Sequence, residues 1–203
     1  MRVCRRSFLR LSVGGAVAAG AATGAAAAKS LDAKVIELAR RLLRQNASRA
    51  LHGDRVALVD FSAPSWRARF HLVDFATGRV QSYLTAHGRG SDPAHTGFLQ
   101  QFSNDVGSNA SSRGAYVTGS PYDGKYGRSM RLGGLDPENS NAEARAIVIH
   151  PAWYVSDDMI ARHGKLGRSE GCFAMRAEDM AIILEALQPG RLLYAGKFPE
   201  FSA

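Results

Sequence analysis

From Arg55 onwards the sequence breaks into short runs of β-type residues, each closed by a turn cluster, and this punctuation limits the fold more than any other feature. The runs are RVALVDFS (55–62), RARFHLVDF (67–75), VQSYLTAH (80–87), AYVTGS (115–120), GRSMRLGG (127–134), ARAIVIH (144–150) and RLLYAG (191–196). Ala76-Thr77-Gly78-Arg79 marks a hairpin turn between the second and third, and Asp136-Pro137-Glu138-Asn139 closes the fifth. Helical spacing is confined to three places. Residues 31–46 put Val35, Leu38, Ala39 and Leu42 on one face and Arg40, Arg41 and Arg44 on the other. Ser156 caps a short helix, SDDMIARH, with Asp157 and Asp158 in its first turn. Residues 177–187 align Met180, Ile183, Leu184 and Leu187. Many strands, few helices and no βαβ alternation predict one mostly-β domain. Residues 88–114, rich in Gly, Ser and Asn, read as a long loop and a candidate lid.

Ahead of this domain, residues 1–28 carry four arginines and no acid, then an Ala/Gly run ending in Ala26-Ala27-Ala28. That is the pattern of an export signal, too rich in Ala and Gly to be read as a stable membrane span. Arg5-Arg6-Ser7-Phe8-Leu9-Arg10 resembles the twin-arginine consensus, which serves export of folded proteins to the periplasm or beyond the cytoplasm. The expected organisation is a signal over 1–28, an N-terminal helix over 29–52 and the β domain over 53–203. Removing the signal halves the formal net charge from +8 to +4. A mildly basic remainder suits an anionic cell-wall environment and falls short of a nucleic-acid footprint.

Export sharpens the cysteine count. Of Cys4 and Cys172, the first leaves with the signal, so an exported protein keeps one unpaired thiol. An inert buried cysteine is the ordinary reading, but the context GKLGRSEGCFAMR (164–176) speaks against it. Gly164, Gly167 and Ser169 read as a flexible polar approach. Arg168 and a helix starting near Arg176 would bring positive potential that favours thiolate. The Gly171–Cys172 pair can aim two successive N–H groups into one concavity, as an oxyanion hole requires. A thiol of ordinary pKa, about 8.5, needs a general base within reach. His150 ends an apolar strand that can deliver it rigidly and is preferred to His163, which sits where a helix C-terminus attracts a cation. His52, His71, His87 and His95 read as solvent or loop residues.

The strand Ile147-Val148-Ile149-His150 followed by Ser169-Glu170-Gly171-Cys172 resembles the L,D-transpeptidases, the YkuD-like catalytic domain. The blocks AHGRGSDPAHTGF, FSNDVGS, YGRSMRLGGLDP and HPAWYVSDDMI…HGKLGRSEGC are similar to the murein L,D-transpeptidase catalytic-domain branch, in order, over roughly residues 55–195. The resemblance implies a β-sandwich-like domain and peptidoglycan stem peptides as partners, with no metal or other cofactor. It also implies Cys172 as nucleophile, His150 as base, Gly171 and Cys172 N–H groups around the oxyanion, and Ser169 bonding within the loop or near the histidine. Trp153 and Tyr154 could line a donor groove or belong to the core. Arg168 could meet a stem carboxylate or be plain surface charge. Three departures stand out: Glu170 replaces the usual His, Pro151 the usual Gly, and Ala174 the usual Arg or Asn, whose contact would be lost or taken over by Arg176 or Arg168. Pro151 keeps the carbonyl that orients the imidazole. An L,D-transpeptidase, an L,D-carboxypeptidase with the same acyl-enzyme, and a non-catalytic wall-binding module all remain open on these residues.

Overall fold

A computed structural model describes residues 18–201, with side chains from residue 30 onward. The twin-arginine stretch and Cys4 lie outside the described residues. Helix α1 (Ala18–Gln45) carries the amphipathic pattern and extends further back than residue 31, because alanine-rich sequence propagates a helix at little cost. The expected signal boundary after Ala28 therefore falls inside α1. No helix among the described residues is long and apolar enough to cross a membrane.

The strands are β1 (Arg55–Asp60), β2 (Phe70–Asp74), β3 (Arg79–Tyr83), β4 (Thr85–Ala86), β5 (Gly114–Gly124), β6 (Gly127–Gly134), β7 (Val148–Pro151), β8 (Phe173–Met175) and β9 (Leu192–Gly196). They form one ladder in the order β3-β2-β1-β9-β5-β6-β7-β8-β4. Its two edges, β3 and β4, are separated in the chain by Leu84 alone, so the sheet has to curl until its ends meet. The mostly-β, sandwich-like expectation is met by this closure. One core fills the interior: Val59 of β1, Phe70 of β2, Tyr116 of β5, Ile149 of β7, Phe173 of β8 and Leu193 of β9 are all buried there. Phe61 stacks on Phe173 at 6.2 Å across that interior. Outside it, Val35, Leu38, Ala39 and Leu42 of α1 cover Val56, Leu58, Val73 and Leu192, as the helical stripe requires.

Three details depart from the sequence reading. Of the 144–150 run only residues 148–150 are strand, and β7 continues to Pro151; the residues before it turn, with Ala146 at φ +51°. The 177–187 helix splits into a 3₁₀ turn, Ala177–Asp179, and α3 (Met180–Ala186). The third is β8, a three-residue strand that follows Cys172 directly and pairs parallel with β7 across helix α2 (Asp157–His163). A βαβ unit is thus present after all, with Ser156 accepting the Met159 N–H at 3.3 Å as the N-cap.

The 88–114 segment is a packed wall rather than a lid. Ser91, Asp92, Ser111 and Ser112 are buried, and Gly88 bridges to Ser169. Behind it lies a buried charged chain. Arg69, 0% exposed, donates from Nη2 to His87 Nδ1 at 2.9 Å, so the His87 proton sits on Nε2, facing Asp92 Oδ2 at 3.3 Å. His71 and His87 are accordingly buried groups, not solvent or loop residues. Burial and the adjacent Arg69 push the His87 pKa down to about 3. Its neutral form is the folded form, so its contribution to stability is complete above about pH 6.5 and is lost as the pH falls from there towards 3. His87→Gln should flatten this acid limb of the melting temperature; parallel curves for variant and wild type between pH 7 and 4 would refute it.

Candidate active site

The β7–α2–β8 unit assembles the site. Parallel pairing sets Ile149 opposite Phe173 and His150 opposite Ala174, so Cys172, two residues before Ala174, arrives on the face that carries His150. Both line a cavity of about 440 Å³ with Ser129, Arg145, Tyr154 and Glu170. Over it reaches the tip of the β5–β6 hairpin, with Tyr122, Gly124, Lys125 and Tyr126.

His150 is 3% exposed and its ring is fixed on two sides. Nδ1–H donates to the Pro151 carbonyl at 2.9 Å, and Tyr126 stacks on the ring with centroids 4.6 Å apart. The proton on Nδ1 leaves Nε2 with its lone pair, the form a base needs. Burial lowers the His150 pKa, Lys125 lowers it further, and the Pro151 carbonyl partly opposes them. The carbonyl role expected of the residue after the histidine is thus intact despite proline.

Cys172 is partly buried, and its Sγ lies 3.5 Å from the Ala146 carbonyl, within reach of an S–H donor. Burial pushes the thiol pKa up. The Val148 N–H and the charges of Arg145 and Lys125 pull it back, while Glu170 adds to the rise. The expected thiolate bias is therefore corrected: desolvation outweighs the cations and favours the thiol, as it favours the neutral imidazole at His150. The expected source of positive charge also changes: the cations that bear on the thiol are Arg145 and Lys125, with Arg168 not among them.

Ser169 shapes the loop. Its Oγ donates to the Cys172 carbonyl at 2.7 Å and accepts the Gly171 N–H at 3.1 Å. The Gly171 N–H is therefore occupied, which corrects its expected place in an oxyanion hole. Gly171 is needed for another reason: it sits at φ +114°, and a Cβ there would lie 2.6 Å from the Ala110 carbonyl oxygen. The approach is packed rather than flexible, with Leu166 fully buried and Gly167 donating to the Tyr154 carbonyl at 2.9 Å.

Of the substrate-side candidates, Tyr154 lines the cavity, whereas Trp153 is 80% exposed outside it with its ring edge-on to Tyr154. Arg168 reaches the wall but spends Nη1 on the carbonyls of Asp92 and Pro93, tying loop to loop. Arg176 pairs with Asp157 and Glu178, so it does not take over the contact missing at Ala174, a fully buried β8 residue. Glu170 is exposed and pairs with Arg89 at 3.0 Å. Sequence reasoning missed Arg145, Lys125 and Tyr126. The turn Asp123-Gly124-Lys125-Tyr126-Gly127 is a legible hairpin signal, but only the β6–β7 register, Met130 opposite Ile149, carries its tip to His150.

Residues 27–195 match the family described as "L,D-transpeptidase catalytic domain". No curated protein matches the chain. Solved structures to which the chain is similar include an L,D-transpeptidase from Mycobacterium smegmatis (12% identity, 70% of this chain and 58% of that one, TM-score 0.43). Others are an L,D-transpeptidase from Mycobacterium tuberculosis H37Rv (13%, 71% and 58%, 0.45) and one from Stackebrandtia nassauensis (13%, 72% and 57%, 0.42). The chain spans less than two thirds of the length of each.

Proposed function

The chain belongs to the L,D-transpeptidase catalytic domain family, and from that premise we propose that it is an exported enzyme that works on peptidoglycan stem peptides through a thioester on Cys172. The supporting observation is that Cys172 and a carbonyl-oriented His150 line the same cavity. His150 Nε2 takes the thiol proton as Sγ attacks the carbonyl of an L-centre joined to a D-residue. The C–S bond forms and the carbonyl pair moves to oxygen. Collapse of the intermediate breaks the C–N bond, and the departing D-amino acid takes the proton from His150. An amine of a neighbouring stem then attacks the thioester and releases the thiol. Starting from a neutral pair suits this sequence, because the proton moves only as the substrate arrives.

The test incubates the protein lacking residues 1–28 with purified disaccharide-tetrapeptide and follows muropeptides and intact protein by mass spectrometry. The expected result is loss of the terminal D-amino acid with cross-linked products, and a carbapenem adduct confined to Cys172. Cys172→Ala should do neither. Trimmed but unlinked stems would indicate a carboxypeptidase; unchanged stems with no adduct would overturn the enzymatic reading in favour of a wall-binding module. Intact mass of the protein recovered from an expression host reports signal removal, and an unprocessed N-terminus with the protein retained in the cytoplasm would refute export.

A further inference from the structure

With the Gly171 N–H engaged by Ser169 and no side-chain donor at Ala174, the Cys172 N–H alone remains of the expected donor pair, which leaves room for a further group to meet the negative charge that forms there. Arg145 occupies the right place. It lines the cavity with Cys172, and its Nη2 lies 2.9 Å from where a Gly171 Cβ would sit, so the guanidinium packs directly against the residue before the nucleophile. The next residue, Ala146, provides the carbonyl that faces Sγ and is held at φ +51°, a conformation that non-glycine residues adopt at a cost.

The guanidinium is fixed by the 88–114 wall. Nη1 donates to the Ser103 carbonyl at 2.9 Å and to Ser112 Oγ at 2.5 Å, and Nη2 donates to the Ala110 carbonyl. All three partners are neutral oxygens, so the positive charge is anchored without being cancelled. Of its five N–H groups, the Nε–H and one Nη2–H have no acceptor among the described residues.

We infer that Arg145 is a positioning residue for Cys172, a fixed cation that holds the sulfur's charge as it forms. This rests on the acyl-enzyme reading above. The other charged or titratable groups around the cavity are Tyr122, Lys125 and Tyr126 from the hairpin, and His150 from β7. Tyr154 and Arg168 line it from the chain after β7 and Glu170 from the loop of Cys172, and Tyr116 of β5 bears on Cys172. Among the cations, Lys125 is an exposed side chain on a turn, and Arg168, though likewise anchored on carbonyls, is not among the atoms nearest the Gly171 Cβ position. Arg145 is the cation braced by the loop wall against Gly171.

The test is the pH dependence of Cys172 alkylation by iodoacetamide in the wild type, Arg145→Gln and Arg145→Lys, with melting temperature alongside. Arg145→Gln should raise the alkylation midpoint by about one pH unit, a roughly tenfold slower reaction near neutrality. Arg145→Lys, which keeps the charge but loses the fork to the wall, should melt lower yet stay near the wild-type midpoint. A merely structural arginine predicts the opposite grouping, with Lys and Gln alike, and that result overturns the inference. If the Gln variant does not fold, the Lys variant decides: a wild-type midpoint with reduced melting temperature supports the role, and a midpoint raised by a unit refutes it. Alkylation needs no peptidoglycan chemistry. A shifted midpoint without stem acylation would therefore sink the transpeptidase reading alone, and an unshifted midpoint with normal turnover would sink this one alone.

Discussion

His150→Ala is expected to slow acylation of Cys172 by about 10²–10⁴-fold, the usual cost of losing a positioned general base. The size follows from the resting state. Burial keeps Cys172 a thiol and keeps His150 neutral, so little thiolate exists to react without the base. The variant should therefore depend on pH differently. In the wild type the rate should rise through the lowered His150 pKa, below about 6.5, and then level off. In His150→Ala this acid limb disappears, and the rate should climb only as the thiol ionises, above its ordinary range. Rates of carbapenem adduct formation by intact-mass spectrometry across pH measure both features. His163→Ala is the comparison, since His163 is an exposed residue in the last turn of α2. Equal losses in the two histidine variants would reverse the assignment.

What the sequence made legible, and what it hid, divides along the range of the interactions. Local rules sufficed for the Ser156 cap, the α1 stripe and most strands, because alternation and capping are set by neighbours in the chain. His150 was legible because it sits at the end of an apolar run, although β7 itself continues to Pro151. The residues that complete the site were not. Phe173–Met175 is too short to show a period, and it is strand only because β7 and β4 flank it. Arg145 sits in what read as a strand, and its hydrogen bonds run to Ser103, Ala110 and Ser112, more than thirty residues away. His87 looked like a loop residue because nothing local announces the buried Arg69 beside it. The Gly171 donor failed for a similar reason: a Gly-Cys pair permits an oxyanion hole, but the serine two residues earlier decides where the N–H points.

Gly171→Ala should damage stability and acylation together, and for two separable reasons. An alanine at φ +114° is strained whatever space surrounds it, which costs on the order of 1–3 kcal/mol. The added Cβ would also lie 2.6 Å from the Ala110 carbonyl oxygen, 2.9 Å from Arg145 Nη2 and 3.1 Å from Ile147 Cδ1, so backbone and guanidinium must move. Movement there displaces Cys172 and loosens the Ser169–Gly171 hydrogen bond together, and a misplacement near 1 Å can cost about 10²-fold in rate. A lowered melting temperature and acylation slowed by at least that factor are expected. Gly164→Ala isolates the first cause, because Gly164 caps α2 at φ +70° with nothing within 4 Å of its Cβ position. It should lose stability by backbone strain while acylating at nearly the wild-type rate. If Gly171→Ala melts lower but acylates normally, the contact with Ala110 and Arg145 does not position the nucleophile, and the geometry argued for this site is wrong.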